Sequence, residues 1–88
     1  RAYLGTIPDY TQSEVSCVKL TGVANGGPAQ QAGVRTGDIV IELAGRKVEN
    51  IYDYTYALDG LKIGTEIELR VLRDGSPVIF KVTPRSRE

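Results

Sequence analysis

Apolar and polar residues alternate in four stretches of this chain, and each reads as a strand with one buried face. Between Val15 and Val23, Val18 and Leu20 fall on one side and Lys19 and Thr21 on the other. In Ile39-Val40-Ile41-Glu42-Leu43 the odd positions Ile39, Ile41 and Leu43 read as the buried set. From Thr65 to Arg73, Ile67, Leu69 and Val71 face one way and Glu66, Glu68 and Arg70 the other. Asp74-Gly75 then signals a hairpin, whose return strand carries Val78, Phe80 and Val82 on one face before Pro84 ends it. Two further stretches have helical spacing. Pro28-Ala29-Gln30-Gln31-Ala32-Gly33 begins with the residue suited to a first helical position and ends with the residue suited to a stop. Its Ala29 and Ala32 allow it to lie close on a sheet. Asn50 suits the N-cap of a longer helix over 51–61, with Asp53 in its first turn and Ile51, Tyr54, Thr55, Leu58 and Leu61 along one face. Gly60 weakens the last turn of that helix, and Gly64 is the expected stop. A short strand at Lys47-Val48 follows the turn Ala44-Gly45-Arg46.

With a strand placed directly after the opening turn, the order is strand, strand, short helix, strand, short strand, long helix, hairpin. This reads as a small, partly open β-barrel or sandwich of five or six strands with helices plugging its ends, an α+β fold. The chain reads as organised around that opening, Arg1-Ala2-Tyr3-Leu4-Gly5-Thr6-Ile7-Pro8. Successive backbone N–H groups of such a glycine-broken turn can point into one concavity and bind a carboxylate, and a strand edge leaving it can pair with an extended peptide.

Eighty-eight residues make one domain, expected over residues 1–84, with 85–88 a frayed tail. Ten glycines against five tyrosines and one phenylalanine imply many tight turns and an aliphatic core. The net charge is zero and the basic residues are scattered, which argues against nucleic acid and against an electrostatic membrane anchor. No apolar run approaches the roughly 20 residues of a membrane span, so no membrane insertion is expected. The absence of histidine removes the commonest general base and metal ligand, together with serine–histidine and cysteine–histidine nucleophile pairs. No catalytic residue, metal site or cofactor is expected. The lone Cys17 cannot form an internal disulfide and reads as a small strand residue, and the acids between Asp9 and Glu14 lack the spacing of a calcium loop.

The stretch Val23-Ala24-Asn25-Gly26-Gly27-Pro28-Ala29-Gln30-Gln31-Ala32-Gly33-Val34-Arg35-Thr36-Gly37-Asp38-Ile39-Val40 resembles the pattern of PDZ domains: Gly/Ser-Pro-Ala, then Ala-Gly-Leu, then Gly-Asp, then aliphatics. The long helix and the Arg-Asp-Gly hairpin follow at the matching distances, so the resemblance covers nearly the whole chain. With the candidate carboxylate loop first and Val78 to Thr83 last, the order resembles the rotated PDZ domains of bacterial envelope proteases, including HtrA serine proteases and C-terminal processing proteases. Residues Ile51 to Asp59 and Leu4 to Tyr10 look closer still to the PDZ-like domain that follows the catalytic domain of some bacterial secreted zinc aminopeptidases.

This resemblance implies a non-catalytic module binding hydrophobic C-terminal or internal peptide segments for a parent peptidase, in the bacterial periplasm, in the envelope or outside the cell. Tyr3-Leu4-Gly5-Thr6 sits where the family's carboxylate loop sits, so Leu4, Gly5 and Thr6 would be the amide donors. One groove wall would be Leu4, Thr6, Ile7 and Pro8, the other Ile51, Thr55 and Leu58, with Leu58 and Leu4 around the ligand's last side chain. An aliphatic Ile51 implies a hydrophobic ligand residue two before the C-terminus. Two positions depart from the pattern. Thr6 replaces a bulky apolar residue, and Pro8 lacks the N–H that would pair with the peptide. Pro8 equally suits protection of a sheet edge, so the alternative is a structural or docking domain, whose partner would be the catalytic domain of its own parent chain. Tyr52 and Tyr56, four apart on the helix, form an exposed pair that either covers the core's edge or, with Tyr10, meets a neighbouring domain.

Overall fold

The computed structural model describes residues 2–8 and 18–86. Ten elements follow in order: β1 (Ala2–Tyr3), β2 (Thr6–Pro8), β3 (Val18–Val23), α1 (Pro28–Ala32), β4 (Ile39–Leu43), β5 (Arg46–Lys47), α2 (Ile51–Asp59), β6 (Ile67–Arg73), β7 (Ser76–Val82) and β8 (Arg85–Ser86). The main sheet is antiparallel in the order β2-β3-β4-β6-β7, with β5 beside β4, and a separate small ladder joins β1 to β8. The α+β architecture and the element order expected from the sequence are both present. The strand count exceeds the expected five or six because β1 and β8 are two-residue pairings with no periodicity to read.

Alternation gave the buried face of three strands correctly. Val18 and Leu20 of β3, Leu69 and Val71 of β6, and Val82 of β7 are all buried, with Ile67, Val78 and Phe80 packed against them. Asp74 and Gly75 take φ of 52° and 80°, the double left-handed geometry of a two-residue hairpin, and β7 pairs in register from Arg73↔Ser76 to Ile67↔Val82. In β4 the expectation fails. Val40 and Leu43 are fully buried, while Ile39 and Ile41 are only half-buried. The ladder with β6 shifts between Val40 and Glu42, so Ile41 is an extra residue and the alternation changes phase there.

Both helices start where the sequence places them. The α1 helix carries Pro28 in its first turn and ends on Gly33 at φ 106°. The α2 helix is capped by Asn50, whose side chain accepts from the Asp53 amide at 2.9 Å, while Asp53 accepts from the Glu49 amide at 3.0 Å. However, α2 ends at Asp59 with Gly60 as its cap, short of residue 61 and of the expected stop at Gly64. The Gly60 amide shares the Tyr56 and Ala57 carbonyls and Leu61 donates back to Leu58, so the last turn tightens and the chain leaves the axis. The expected strand at 47–48 lies one residue earlier, at Arg46–Lys47. Arg85 and Ser86, expected to fray, pair with Tyr3 and Ala2, and Arg85 also donates to the Gly26 carbonyl at 3.0 Å. The expectations for residues 9–17, including Tyr10, the 9–14 acids, the start of the 15–23 strand and Cys17, lie outside the described residues.

Candidate functional site

Between β1 and β2 the chain turns on Leu4 and Gly5. Leu4 is 2% exposed and anchors the turn in the core, while Gly5 sits at φ +78°, a conformation that glycine adopts without a Cβ penalty. The Leu4 carbonyl accepts from the Ala29 amide at 2.8 Å, and the Gly5 carbonyl from the Ala24 amide at 2.7 Å. Ala29 is free to donate because the first-turn amides of a helix have no partner within it. In a planar trans peptide the carbonyl and the following N–H point in opposite directions. Fixing these two carbonyls onto α1 and the end of β3 therefore turns the Gly5 and Thr6 amides to the other side. Among the described residues, the Leu4 and Gly5 amides donate to no backbone carbonyl. Two adjacent donors turned to one side of a glycine turn are the arrangement that an anion-binding nest requires.

Beyond the turn, β2 is the terminal strand of the main sheet. It pairs Thr6↔Val23, Ile7↔Gly22 and Pro8↔Leu20, and the jump leaves Thr21 as a bulged residue on β3. The Gly5–Ala24 bond sets the phase of the ladder. Ile7 directs its backbone toward β3, and Thr6 and Pro8 direct theirs toward the open edge. The Thr21 hydroxyl donates to the Ile7 carbonyl at 3.1 Å, consistent with that phase. The open edge thus offers the Thr6 amide and then, two residues on, a proline with no donor. Ile7 is 48% exposed and lies over Gly22, with its Cδ1 3.4 Å from where a Cβ on that glycine would stand. Its side chain is on the outer face, apart from the buried Pro8 and half-buried Thr6.

On α2, Ile51, Thr55 and Leu58 are half-buried along one strip, while Tyr54 and Ala57 turn fully into the core. Thr55 donates its hydroxyl back to the Ile51 carbonyl at 2.9 Å. Tyr54 reaches from α2 to β2, where its hydroxyl is hydrogen-bonded to Thr6 Oγ1. The two proposed groove walls are therefore tied together beneath the strip. The sequence reading placed Tyr54 on the apolar face and missed this bond. The available signal was that a phenol at 1% exposure needs a polar partner. Tyr52 and Tyr56 are 73% and 69% exposed, which keeps them out of the groove. Two open depressions, of about 480 Å³ beside Val34 and Arg35 and about 340 Å³ beside Gln31 and Lys81, also lie away from it.

A second feature without periodicity is the buried acid Asp38. Its carboxylate accepts from Arg73 Nε at 2.9 Å, Arg73 Nη2 at 2.8 Å and the Arg35 amide at 2.9 Å. Burial disfavours its ionisation, but the bonds from Arg73 and Arg35 and the charges of both outweigh that, and its pKa lies below the ordinary value. The bond to Asp38 correspondingly raises the pKa of Arg73.

A family model described as "PDZ domain" matches residues 3–83. Among curated relatives, the chain is 30% identical to a probable periplasmic serine endoprotease, DegP-like, of Chlamydia trachomatis, over 94% of this chain and 18% of that protein. It is 32% identical to the serine protease Do-like HtrA of Bacillus subtilis, over 81% of this chain and 16% of that one. The chain thus spans less than a fifth of the length of these relatives. Among solved structures, the HtrA-type protease AlgW with a decapeptide superposes at a TM-score of 0.88 with 21% identity, over 100% of this chain and 30% of that one. The HtrA3 PDZ domain bound to a phage-derived ligand, FGRWV, superposes at 0.77 with 18% identity, over 97% of this chain and 86% of that one. The curated relatives support the HtrA side of the sequence resemblance, the solved structures show the same fold, and neither lends anything to a zinc aminopeptidase parent.

Proposed function

The chain belongs to the PDZ domain family, and from that premise we propose that it is a non-catalytic module that holds the C-terminal carboxylate of a hydrophobic peptide. The observation that carries this reading is the turn at Leu4-Gly5, whose carbonyls are bound behind it, so that the Gly5 and Thr6 amides turn to the opposite side. A hydrogen bond to a carboxylate is worth about 1.5–3 kcal/mol, so two or three such amides supply most of a weak peptide affinity. Leu58 and Leu4 line the pocket for the ligand's last side chain, and Ile51 favours an apolar residue two positions earlier. Pro8 removes the next donor along β2, so the site holds a chain end better than a long strand. The relatives named as periplasmic serine endoproteases support a parent protease in the periplasm or envelope, with this domain presenting substrates or regulatory peptides to it.

The test is an NMR titration with FGRWV, once with a free carboxylate and once amidated. Shifts at Leu4, Gly5 and Thr6 that need the free carboxylate bear the reading out. Equal, negligible shifts with both peptides refute it. A second reading, a docking domain that meets only its own parent's catalytic domain, is favoured by the buried Pro8 at the open edge. Giving position 8 an N–H leaves that function unchanged but strengthens peptide binding under the first reading.

A further inference from the structure

We propose that Arg73 is a positioning residue for the carboxylate loop, acting through Asp38 and α1; this rests on the peptide-binding reading above. Arg73 ends β6, on the hairpin, and touches none of the groove residues in any bond described. Its guanidinium holds Asp38 through two parallel bonds, and its Nη2 also donates to the carbonyl of Gly33, the residue that ends α1, at 3.0 Å. The guanidinium carbon lies 5.2 Å from the centroid of Phe80, which itself approaches Gly33 so closely that a Cβ there would meet Phe80 Cε1 at 3.3 Å. Asp38 in turn fixes the Arg35 amide, and its backbone carbonyl accepts from Leu20 of β3 at 2.9 Å. The C-terminal end of α1 is therefore held from three sides.

The other end of α1 carries the consequence. The helix has five residues, closed by bonds from Gly33 to Gln30 at 3.1 Å and from Val34 to Ala29 at 3.0 Å. A unit this short has no room to bend between its ends, so the anchor at Gly33 sets the direction of the Ala29 N–H. That N–H holds the Leu4 carbonyl, whose peptide plane carries the Gly5 amide. A guanidinium suits this role better than an ammonium because its rigid fork makes both carboxylate bonds and the carbonyl bond from one plane.

The experiment uses the 88-residue chain, FGRWV as free acid and as amide, and the substitutions R73Q, R73K and F80L, with folding checked by amide dispersion. In R73Q the affinity for the acid falls about tenfold, the effect of misaligning one charge-assisted bond, while the amide binds as before. Exchange of the Ala29 amide accelerates relative to those of Leu69 and Val71. R73K, with one contact where arginine makes three, recovers part of the preference for the acid. If R73Q does not fold, F80L keeps the ion pair, loosens the guanidinium and produces a smaller change of the same kind. Equal losses for acid and amide, or Ala29 exchange that tracks Leu69, overturn the proposal. An acid-to-amide ratio near one in the unaltered chain overturns the binding reading and this role with it; a normal ratio that survives R73Q and F80L overturns this role alone.

Discussion

Replacing Gly5 with alanine tests the turn on which the site is built. Two costs are separable in the structure. The first is torsional: an L residue in the left-handed region costs about 1–2 kcal/mol. The second is steric. A Cβ at Gly5 stands 3.3 Å from the Gly27 Cα and 3.4 Å from the Ala24 Cβ. Gly27 cannot withdraw easily, because its amide donates to Ala24 and its carbonyl accepts from Gln31, both at 3.0 Å. Overpacking of this kind adds about 1 kcal/mol or more. Gly75 is the control, since its φ is +80° and a Cβ there meets nothing within 4 Å. Urea denaturation of G5A and G75A, with unchanged m-values, is expected to show G75A losing about 1 kcal/mol and G5A about 2–3 kcal/mol. If the chain escapes by turning the Gly5 peptide over, the bonds to Ala29 and Ala24 break, and peptide binding is lost along with about the same stability. A G5A domain within about 0.5 kcal/mol of G75A would refute the argument, because it would mean that the turn relaxes at no cost.

Pro8→Val restores an N–H on the open edge of β2 while keeping a compact apolar side chain in a buried position; it is expected to tighten free-acid FGRWV about threefold to tenfold, the worth of one hydrogen bond, measured by titration calorimetry. Tyr54→Phe removes the hydroxyl that reaches Thr6 and is expected to cost about 1 kcal/mol in urea, with a shifted Thr6 amide; no change in either would show that the two walls are not held by that bond. The depressed pKa of Asp38 has a definite sign: its contribution is present at neutral pH and is lost as pH falls from about its ordinary 3.8 down through the folded value. Acid unfolding monitored by circular dichroism is therefore expected to begin at a higher pH, and from a lower neutral-pH stability, in Asp38→Asn, whose stability should vary less with pH below 4. A D38N curve parallel to that of the unaltered chain would refute this.

Much of the molecule was legible because local rules and tertiary demands agree. Alternation in β3, β6 and β7, proline and glycine at the two ends of α1, and Asn50 with Asp53 at the start of α2 all express backbone hydrogen bonding that neighbouring residues decide. The misses have a common form. Ile41 is a good strand residue with the expected alternation, yet pairing with β6 makes it a bulge and buries Val40 instead. Leu61 continues the apolar face of α2, but Gly60 tightens the turn first. Arg85 and Ser86 look like a tail, and only the arrival of β1 makes them a strand.

For the site, the sequence by itself placed Leu4, Gly5 and Thr6 at the turn, Pro8 on an edge strand, and Ile51, Thr55 and Leu58 on one helical strip. Each of those assignments needs only spacing, a glycine or a missing donor. Tertiary structure alone decided which way the turn faces, because that depends on the Ala29 and Ala24 amides arriving behind it. It also moved Ile7 to the outer face, tied Thr6 to Tyr54 and joined Asp38 to Arg73 across 35 residues. Periodicity records which side of an element is apolar; it carries no information about which polar groups from distant elements will meet once those sides are buried. Two of those meetings, at Ala29 and Ala24, fix the direction of the Gly5 and Thr6 amides.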